Sequence, residues 1–599
     1  MTRFIFSRTR LATAILMGST SLMLAACSST TSDGEADEQA AAAHEQRAEQ
    51  RAQVAEETKR KSEPPMLAKK MMAQERMVMD AAAPMPKAKM KPQIAVGAAQ
   101  FSAGHAAIHP PMPSPQPVLP PNGEPENNEV YDRIVENSFK TVLTDPLSTF
   151  SIDVDTASYT NVRRMLNDGQ LPPADAVRIE EMINYFTYDY PRPTGEHPFS
   201  VYSEIAPAPW NTDHQLVHIG LSGKAIPTEN LPSSNLVFLL DVSGSMNYGN
   251  KLPLLKRAFR LLVEQLDEKD RVSIVVYAGA AGVVLEPTPG NENTSIIRAL
   301  DKLNAGGSTA GGQGIELAYQ MAEKHFIKGG NNRVILATDG DFNVGPSSDA
   351  ELTRIIEQKR EKGVFLTVLG FGSGNYRDNK MEKLANKGNG NFAYIDNIRE
   401  ARKVLVEEMA GTLLTIAKDV KLQLEFNPAK VKSYRLIGYE NRMLANEDFT
   451  DDKKDAGELG AGLRVTALYE IIPADGSQNE QPLKYQTSEL TDKANSNDTL
   501  TVKLRYKQPD SDTSQPFQYV VDQPWKTLDA SSDDFRFAAS VAEFGLLLRD
   551  SQYKGNASFD QVLTLGKQAK GKDDEGYRAE FLHLVESAQL LGSSEPVDK

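Results

Sequence analysis

Buried strands alternate with amphipathic helices between residues 235 and 411, and this alternation restricts the possible folds more than any other feature. The apolar run at 236–240 predicts a buried strand, and the helix predicted at 251–266 carries its apolar residues on one face. Further strands are predicted at 271–277, 282–285, 334–337, 364–369 and 391–395, and further helices at 294–304, 312–326, 349–361, 378–387 and 398–411. Repeated strand–helix units bury a parallel sheet between two helical layers, so this segment is predicted to be α/β.

The segments on either side of this unit have apolar residues at every second position, as strands with one buried face do. Strands are predicted at 148–155, 199–206 and 215–221 before the unit, and at 420–426, 433–439, 463–472 and 500–506 after it. Helices are predicted at 158–168, 175–187, 534–549 and 575–591. We expect the two ends of the α/β unit to lie close together. The strands of both flanks should therefore pair in one sandwich-like α+β domain beside a central, doubly wound, mostly parallel sheet.

The amino terminus has the composition of an export signal. Three arginines and no acidic residue precede a largely apolar stretch at 11–26, which is too short for a comfortable membrane span. The run Leu24-Ala25-Ala26-Cys27 resembles the lipobox of bacterial lipoproteins, which implies a lipid anchor on Cys27. Ser28 occupies the position where that family uses aspartate for inner-membrane retention. The resemblance therefore implies a protein of the cell envelope, anchored in the outer membrane in preference to the inner one.

Composition changes along the chain predict five regions. Residues 1–26 are the predicted signal peptide, and 27–128 lack the periodic apolar residues that a folded core needs. Within that second region, 35–63 is rich in Ala, Glu, Gln, Lys and Arg, and 64–125 is rich in Pro, Ala, Met and Lys, so the region is predicted to be a disordered tether. The predicted folded regions are an N-terminal flank at 129–232, the α/β unit at 233–411 and a C-terminal α+β region at 412–599.

Charge and cysteine content exclude several classes of function. The 599 residues include 66 Lys and Arg against 81 Asp and Glu, and a net charge of -15 disfavours nucleic-acid binding. One cysteine excludes an intramolecular disulfide framework and a thiolate-rich metal centre. The eight histidines show no paired metal-binding spacing, which disfavours a histidine-based zinc enzyme.

Three polar segments are expected to meet at the carboxyl edge of the predicted sheet. The first buried strand is followed at once by Asp241, Ser243 and Ser245. The strand at 334–337 is followed by Thr338 and then Asp339. Thr309 ends the glycine-led segment at 306–309. Ligands of open α/β sheets bind at this edge because the loops converge there. Asp241 and Ser243 could instead serve only to cap the following helix and satisfy loop amides.

The three segments resemble the metal-ion-dependent adhesion site of von Willebrand factor type A (VWA) domains. The resemblance covers about residues 233–411, with the pattern D-x-S-x-S at 241–245, a glycine-led threonine and T-D-G at 338–340. It implies the following ligand set for a divalent cation: Asp241, Ser243, Ser245, Thr309 and Asp339. These oxygens are hard ligands, which suit Mg²⁺ first, with Mn²⁺ or Ca²⁺ as alternatives. An open position on the cation would attract an Asp or Glu carboxylate of a protein partner.

The flanks, including the segment 149–159, resemble extra regions of exported bacterial proteins that carry a central VWA domain. This resemblance adds architecture more than function. The leading hypothesis is an envelope-anchored module that binds a protein ligand through the cation. The alternative is an accessory or scaffold subunit of an envelope complex that does not require metal-mediated adhesion. An enzyme is not expected, because no catalytic constellation is found in the sequence.

Overall fold

The computed structural model describes most of the chain from Glu129 onward. The described residues are 129–152, 155–278, 280–307, 311–340, 349–374, 377–409, 411, 414–475 and 490–594. The predicted signal peptide, the predicted tether, Cys27 and Thr309 lie outside them. No helix among the described residues is long and apolar enough to cross a membrane.

The N-terminal flank supplies four strands and two helices. The strands are β1 Lys140–Thr141, β2 Leu147–Ser151, β3 Phe199–Ala208 and β4 Asn211–Gly223, and the helices are α1 Ala157–Asn167 and α2 Ile179–Asn184. The helix predicted at 175–187 is therefore much shorter than expected and follows a separate turn at Ala174–Ala176. The chain is extended at Val177, and the amide of Arg178 donates to Ser158 Oγ at 2.8 Å instead of continuing a helix.

The central unit contains six strands and six helices among its described residues. The strands are β5 Ser234–Asp241, β6 Arg271–Tyr277, β7 Ala281–Pro289, β8 Asn331–Thr338, β9 Val364–Phe371 and β10 Phe392–Ile395. The helices are α3 Leu252–Val263, α4 Asn293–Asp301, α5 Gly311–Lys324, α6 Asp349–Glu361, α7 Asp378–Lys387 and α8 Ile398–Arg402. The helix predicted at 398–411 ends earlier as an α-helix and continues as a π-helical turn at Lys403–Glu407.

The six central strands form one sheet in the order β10-β9-β8-β5-β6-β7, and only β7 is antiparallel to its neighbour. Leu236, Phe238 and Leu240 pack with α3, α4 and the 401–405 turn on one face. Val237 and Leu239 pack with α5, α6 and α7 on the other face. This arrangement confirms the predicted doubly wound, mostly parallel α/β unit, because both faces of β5 are buried under helices.

The C-terminal flank contributes strands and then helices. The strands are β11 Thr415–Phe426, β12 Val431–Ile437, β13 Gly457–Gly460, β14 Arg464–Pro473, β15 Leu500–Lys507 and β16 Ser514–Val521. The helices are α9 Asp533–Leu548, α10 Phe559–Gln568 and α11 Tyr577–Ser594. β13, β16 and α10 were not predicted from the sequence. In β16 only Val521 is buried, so this edge strand lacks the apolar alternation that marks the other strands.

Strands from the two flanks pair directly. One sheet has the order β1-β12-β14-β4-β3, and the other has β13-β11-β15-β16 with β2 joined to β11. Val217 of β4 lies opposite Tyr469 of β14, and Phe150 of β2 lies opposite Leu422 of β11. Apolar residues of the two sheets share one core, while helices α1, α2, α9, α10 and α11 cover the outer face of the first sheet. The predicted α+β domain built from both flanks is thereby confirmed.

Candidate functional site

The candidate site lies at the carboxyl ends of β5 and β8, which are neighbours in the central sheet. Asp241 is the last residue of β5, and Thr338 is the last residue of β8. The two strands are parallel and aligned, with Leu240 paired to Ala337, so the loops that follow them leave the sheet side by side. This juxtaposition brings the D-x-S-x-S segment next to the T-D-G segment, as the sequence predicts.

A third segment, around Gly306 and Gly307, packs against the first loop through its backbone. The Gly306 amide donates to the Val242 carbonyl at 2.8 Å, and the Gly244 amide donates to the Gly307 carbonyl at 3.1 Å. Thr309 follows two residues later but lies outside the described residues. Its predicted role as a ligand therefore stays a prediction, although the glycines that lead to it are in place.

Asp241 is completely buried and accepts hydrogen bonds only from neutral groups among the described residues. Its Oδ1 accepts from the Ser243 amide at 2.9 Å, and its Oδ2 accepts from the Tyr277 hydroxyl at 3.1 Å and from Thr338 Oγ1 at 3.2 Å. Tyr277 lies directly opposite Asp241 on β6. The carboxylate is thus held in one orientation, yet no lysine, arginine or histidine in the described part of the chain pairs with it.

Burial raises the pKa of Asp241 to about 6, and the hydrogen bonds from Ser243 counteract this rise only partly. The negative charge of Asp339 raises the same pKa further, which places the two carboxylates within electrostatic reach of each other. An ionised carboxyl group in such a setting is stabilised by any cation that can approach it.

Ser243 and Ser245 present their hydroxyls side by side. Ser243 is buried, Ser245 is partly exposed, and the two Oγ atoms are 3.0 Å apart. Ser243 occupies the N-cap position of a short 3-10 turn at Gly244–Asn247, but its side chain makes no capping hydrogen bond there. Neither Ser243 nor Asp241 caps α3, which begins at Leu252 with Lys251 as its N-cap. The alternative role therefore holds only in part: Asp241 accepts a hydrogen bond from the Ser243 amide of its own loop.

Asp339 has a partner that was not predicted from the sequence. Lys251 Nζ donates to Asp339 Oδ2 at 2.8 Å, and both residues are almost fully buried. One signal could have identified Lys251: it is spaced by four and eight residues from Leu255 and Phe259 on the buried face of α3. A lysine on such a face requires an anionic partner, and Asp339 supplies it.

The donor set fits a hard divalent cation better than a soft one. The described residues contain no group of three or more His, Cys, Asp or Glu side chains arranged to hold a metal. The candidate site instead combines the carboxylates of Asp241 and Asp339 with the hydroxyls of Ser243 and Ser245. Oxygen ligands of this kind suit Mg²⁺, Mn²⁺ or Ca²⁺. The buried charge of Asp241, which has no opposite charge among the described residues, favours a cation there.

Comparisons with known proteins agree with this architecture. The von Willebrand factor type A domain family matches residues 235–407. A family described as von Willebrand factor matches 125–218, and the family of YfbK C-terminal regions matches 411–591. Uncharacterized protein YfbK of Escherichia coli (strain K12) is 45% identical over 466 residues, which are 76% of this chain and 80% of that protein. The chain belongs to the YfbK family.

The chain carries a VWA domain, a module that generally mediates protein–protein interaction. Human inter-alpha-trypsin inhibitor heavy chain H3 is 29% identical over 192 residues, which are 30% of this chain and 21% of that protein. The chain thus spans only about a fifth of that relative. A solved von Willebrand factor type A structure from Catenulispora acidiphila aligns with this chain at a TM-score of 0.36 and 15% identity. The alignment covers 65% of this chain and 96% of the chain in that structure.

Proposed function

We propose that this protein is a lipoprotein anchored in the cell envelope through Cys27, in the outer membrane rather than the inner one. Its VWA domain binds a protein ligand through a divalent cation, with Mg²⁺ as the first candidate and Mn²⁺ or Ca²⁺ as alternatives. The proposed cation ligands are Asp241, Ser243, Ser245, Thr309 and Asp339.

The buried carboxylate of Asp241, which pairs with no cationic side chain in the described part of the chain, is the observation that supports this proposal most strongly. A buried charge without an opposite charge destabilises a fold, so it is rarely retained without a use. Tyr277 and Thr338 orient the carboxylate, while the hydroxyls of Ser243 and Ser245 lie together at the start of the adjacent loop. Such an arrangement prepares oxygen ligands for a cation.

When bound, the cation supplies positive charge to which a carboxylate of the partner can coordinate. The residues of the site determine how much of that charge remains available. Ser243 and Ser245 contribute neutral oxygens, so they position the cation without neutralising it. Asp241 contributes one full negative charge, whereas the charge of Asp339 is already shared with Lys251. The proposed activity is binding, with no catalytic step.

A second candidate is an accessory or scaffold subunit that acts without metal-mediated adhesion. The Lys251–Asp339 ion pair favours this second candidate, because Lys251 already supplies part of the positive charge that a divalent cation would bring. Under this alternative the loops at the carboxyl edge would keep their structure, and partner binding would be insensitive to chelators.

Calorimetric titration of Mg²⁺ into the full chain tests the proposal. Wild type should bind one cation, Asp241→Ala should bind none, and Ser243→Ala should bind more weakly because only a dipole is lost. The matched control is Glu268→Ala, which removes an exposed carboxylate from the same domain. Equal binding by wild type and Asp241→Ala would exclude Asp241 as a ligand, and chelator-insensitive capture of envelope proteins would favour the scaffold alternative.

A further inference from the structure

We propose that Lys251 is a built-in counter-cation that competes with the divalent cation for the charge of Asp339 and thereby weakens cation binding. This inference rests on the proposed metal site and adds a residue that sets its affinity. It concerns the metal-free state as much as the loaded one, because the same ammonium group stabilises Asp339 when no cation is present.

The ion pair between Lys251 and Asp339 is direct and shielded from water. Lys251 Nζ lies 2.8 Å from Asp339 Oδ2, and the two residues are only 5% and 1% exposed. A charge pair of this kind interacts much more strongly than a surface pair, because little solvent screens it. Removal of either partner takes this ion pair away from a charge that stays buried, which destabilises the fold.

The fold makes room for the lysine side chain beside the site. Gly372, which follows β9, has a φ of 79°, and a Cβ built there would lie 2.4 Å from both Cγ and Cε of Lys251. A larger residue at position 372 would therefore collide with the lysine stem. The Lys251 Nζ also lies 5.5 Å from the ring centre of Tyr248, which is 67% exposed. Lys251 is thus placed between Gly372 and Tyr248, with its charge directed to Asp339.

The charges of the site show why this lysine opposes a divalent cation. Asp241 and Asp339 together supply two negative charges, and Lys251 cancels one of them. A divalent cation near Asp339 would therefore meet a site of net charge about minus one and a nearby positive charge that repels it. The cation must either displace the ammonium, at the cost of the ion pair, or bind beside it against its repulsion, so Lys251 should lower the affinity by about tenfold or more.

Mg²⁺ titration of Lys251→Met tests the inference. Methionine keeps most of the stem length and removes the charge, so the affinity should rise about tenfold or more relative to wild type. The metal-free variant should also melt at a lower temperature than wild type and recover more on addition of Mg²⁺, because the ion pair between residue 251 and Asp339 is lost. Arg257→Met is the matched control, since it removes one positive charge from the exposed face of the same helix. Unchanged or weaker Mg²⁺ binding by Lys251→Met would overturn the inference.

A measurement on wild type covers the case in which Lys251→Met does not fold. Amine-specific labelling, read by mass spectrometry, should modify Lys251 several-fold faster with saturating Mg²⁺ than with chelator, because the cation displaces the ammonium from Asp339. Lys256 should show no such change. A Mg²⁺-independent labelling rate at Lys251 in a protein that binds Mg²⁺ would contradict the inference alone. Absence of Mg²⁺ binding in both wild type and Lys251→Met would instead contradict the proposed metal site itself.

Discussion

Replacing Asp241 by asparagine removes one negative charge from the candidate metal site and keeps nearly the same shape. The asparagine oxygen can still accept from the Ser243 amide, as Asp241 Oδ1 does at 2.9 Å. The new amide group can donate to the oxygens of Tyr277 and Thr338, because a hydroxyl both donates and accepts. The substitution therefore changes mainly the charge, which separates the electrostatic effect from a loss of packing.

The expected gain in stability follows from the pKa of Asp241. Burial raises this pKa from 3.8 to about 6, and one pKa unit corresponds to about 1.4 kcal/mol. Ionised Asp241 therefore costs the metal-free protein about 3 kcal/mol at pH 7. Because the pKa is higher in the folded state than in the unfolded state, the cost is absent below pH 3.8 and complete above pH 6. Asp241→Asn should thus stabilise the chelator-treated protein by about 3 kcal/mol at pH 7.

Equilibrium unfolding in urea, in the presence of chelator, measures this gain at pH 7 and again near pH 4. The control is Asp213→Asn, an exposed carboxylate in the N-terminal flank whose replacement should change little. Added Mg²⁺ should stabilise wild type but not Asp241→Asn. The electrostatic reasoning is refuted if Asp241→Asn is no more stable than wild type at pH 7, or if its advantage is as large at pH 4.

Three further predictions concern other parts of the chain. Burial raises the pKa of Glu543 to about 8, so wild type should lose stability from about pH 4.5 to 8, and Glu543→Gln should flatten this dependence in melting curves. Gly390→Ala should destabilise by about 3 kcal/mol in urea unfolding because its Cβ would lie 2.0 Å from the Leu366 oxygen, whereas Gly282→Ala, with open space, should be near neutral. Cys27→Ala should abolish lipid labelling and release the protein from membranes, and retained labelling would contradict the anchor.

Much of the fold could be predicted because burial leaves a direct pattern in the sequence. The continuous apolar run of β5 and the spacing of α3 identify the central unit without knowledge of any contact. The pairing of the flanks was also predictable, since an inserted α/β unit keeps its ends together. Strand β16 was not, because an edge strand with one buried residue lacks that pattern.

The limits at the candidate site have a similar cause. Asp241, Ser243 and Ser245 could be predicted because they are close in sequence and follow a recognisable strand. The partners of Lys251 and Tyr277 could not be assigned, because they are 88 and 36 residues away and depend on how the strands are aligned. The helix that begins at Ile398 ends early, at Arg402, and the chain continues as a π-helical turn whose first three residues are buried. The apolar spacing at 398–411 does not distinguish such a turn from a continued α-helix.

Anomalous diffraction from crystals grown with Mn²⁺ tests the central claim most directly, because Mn²⁺ has the same preference for oxygen ligands and can be located by its scattering. The account predicts one strong peak within coordination distance of Ser243 Oγ and Ser245 Oγ, next to Asp241, with Lys251 displaced from Asp339. Well-ordered crystals without a peak at these residues, with Lys251 still bound to Asp339 at saturating Mn²⁺, would contradict it.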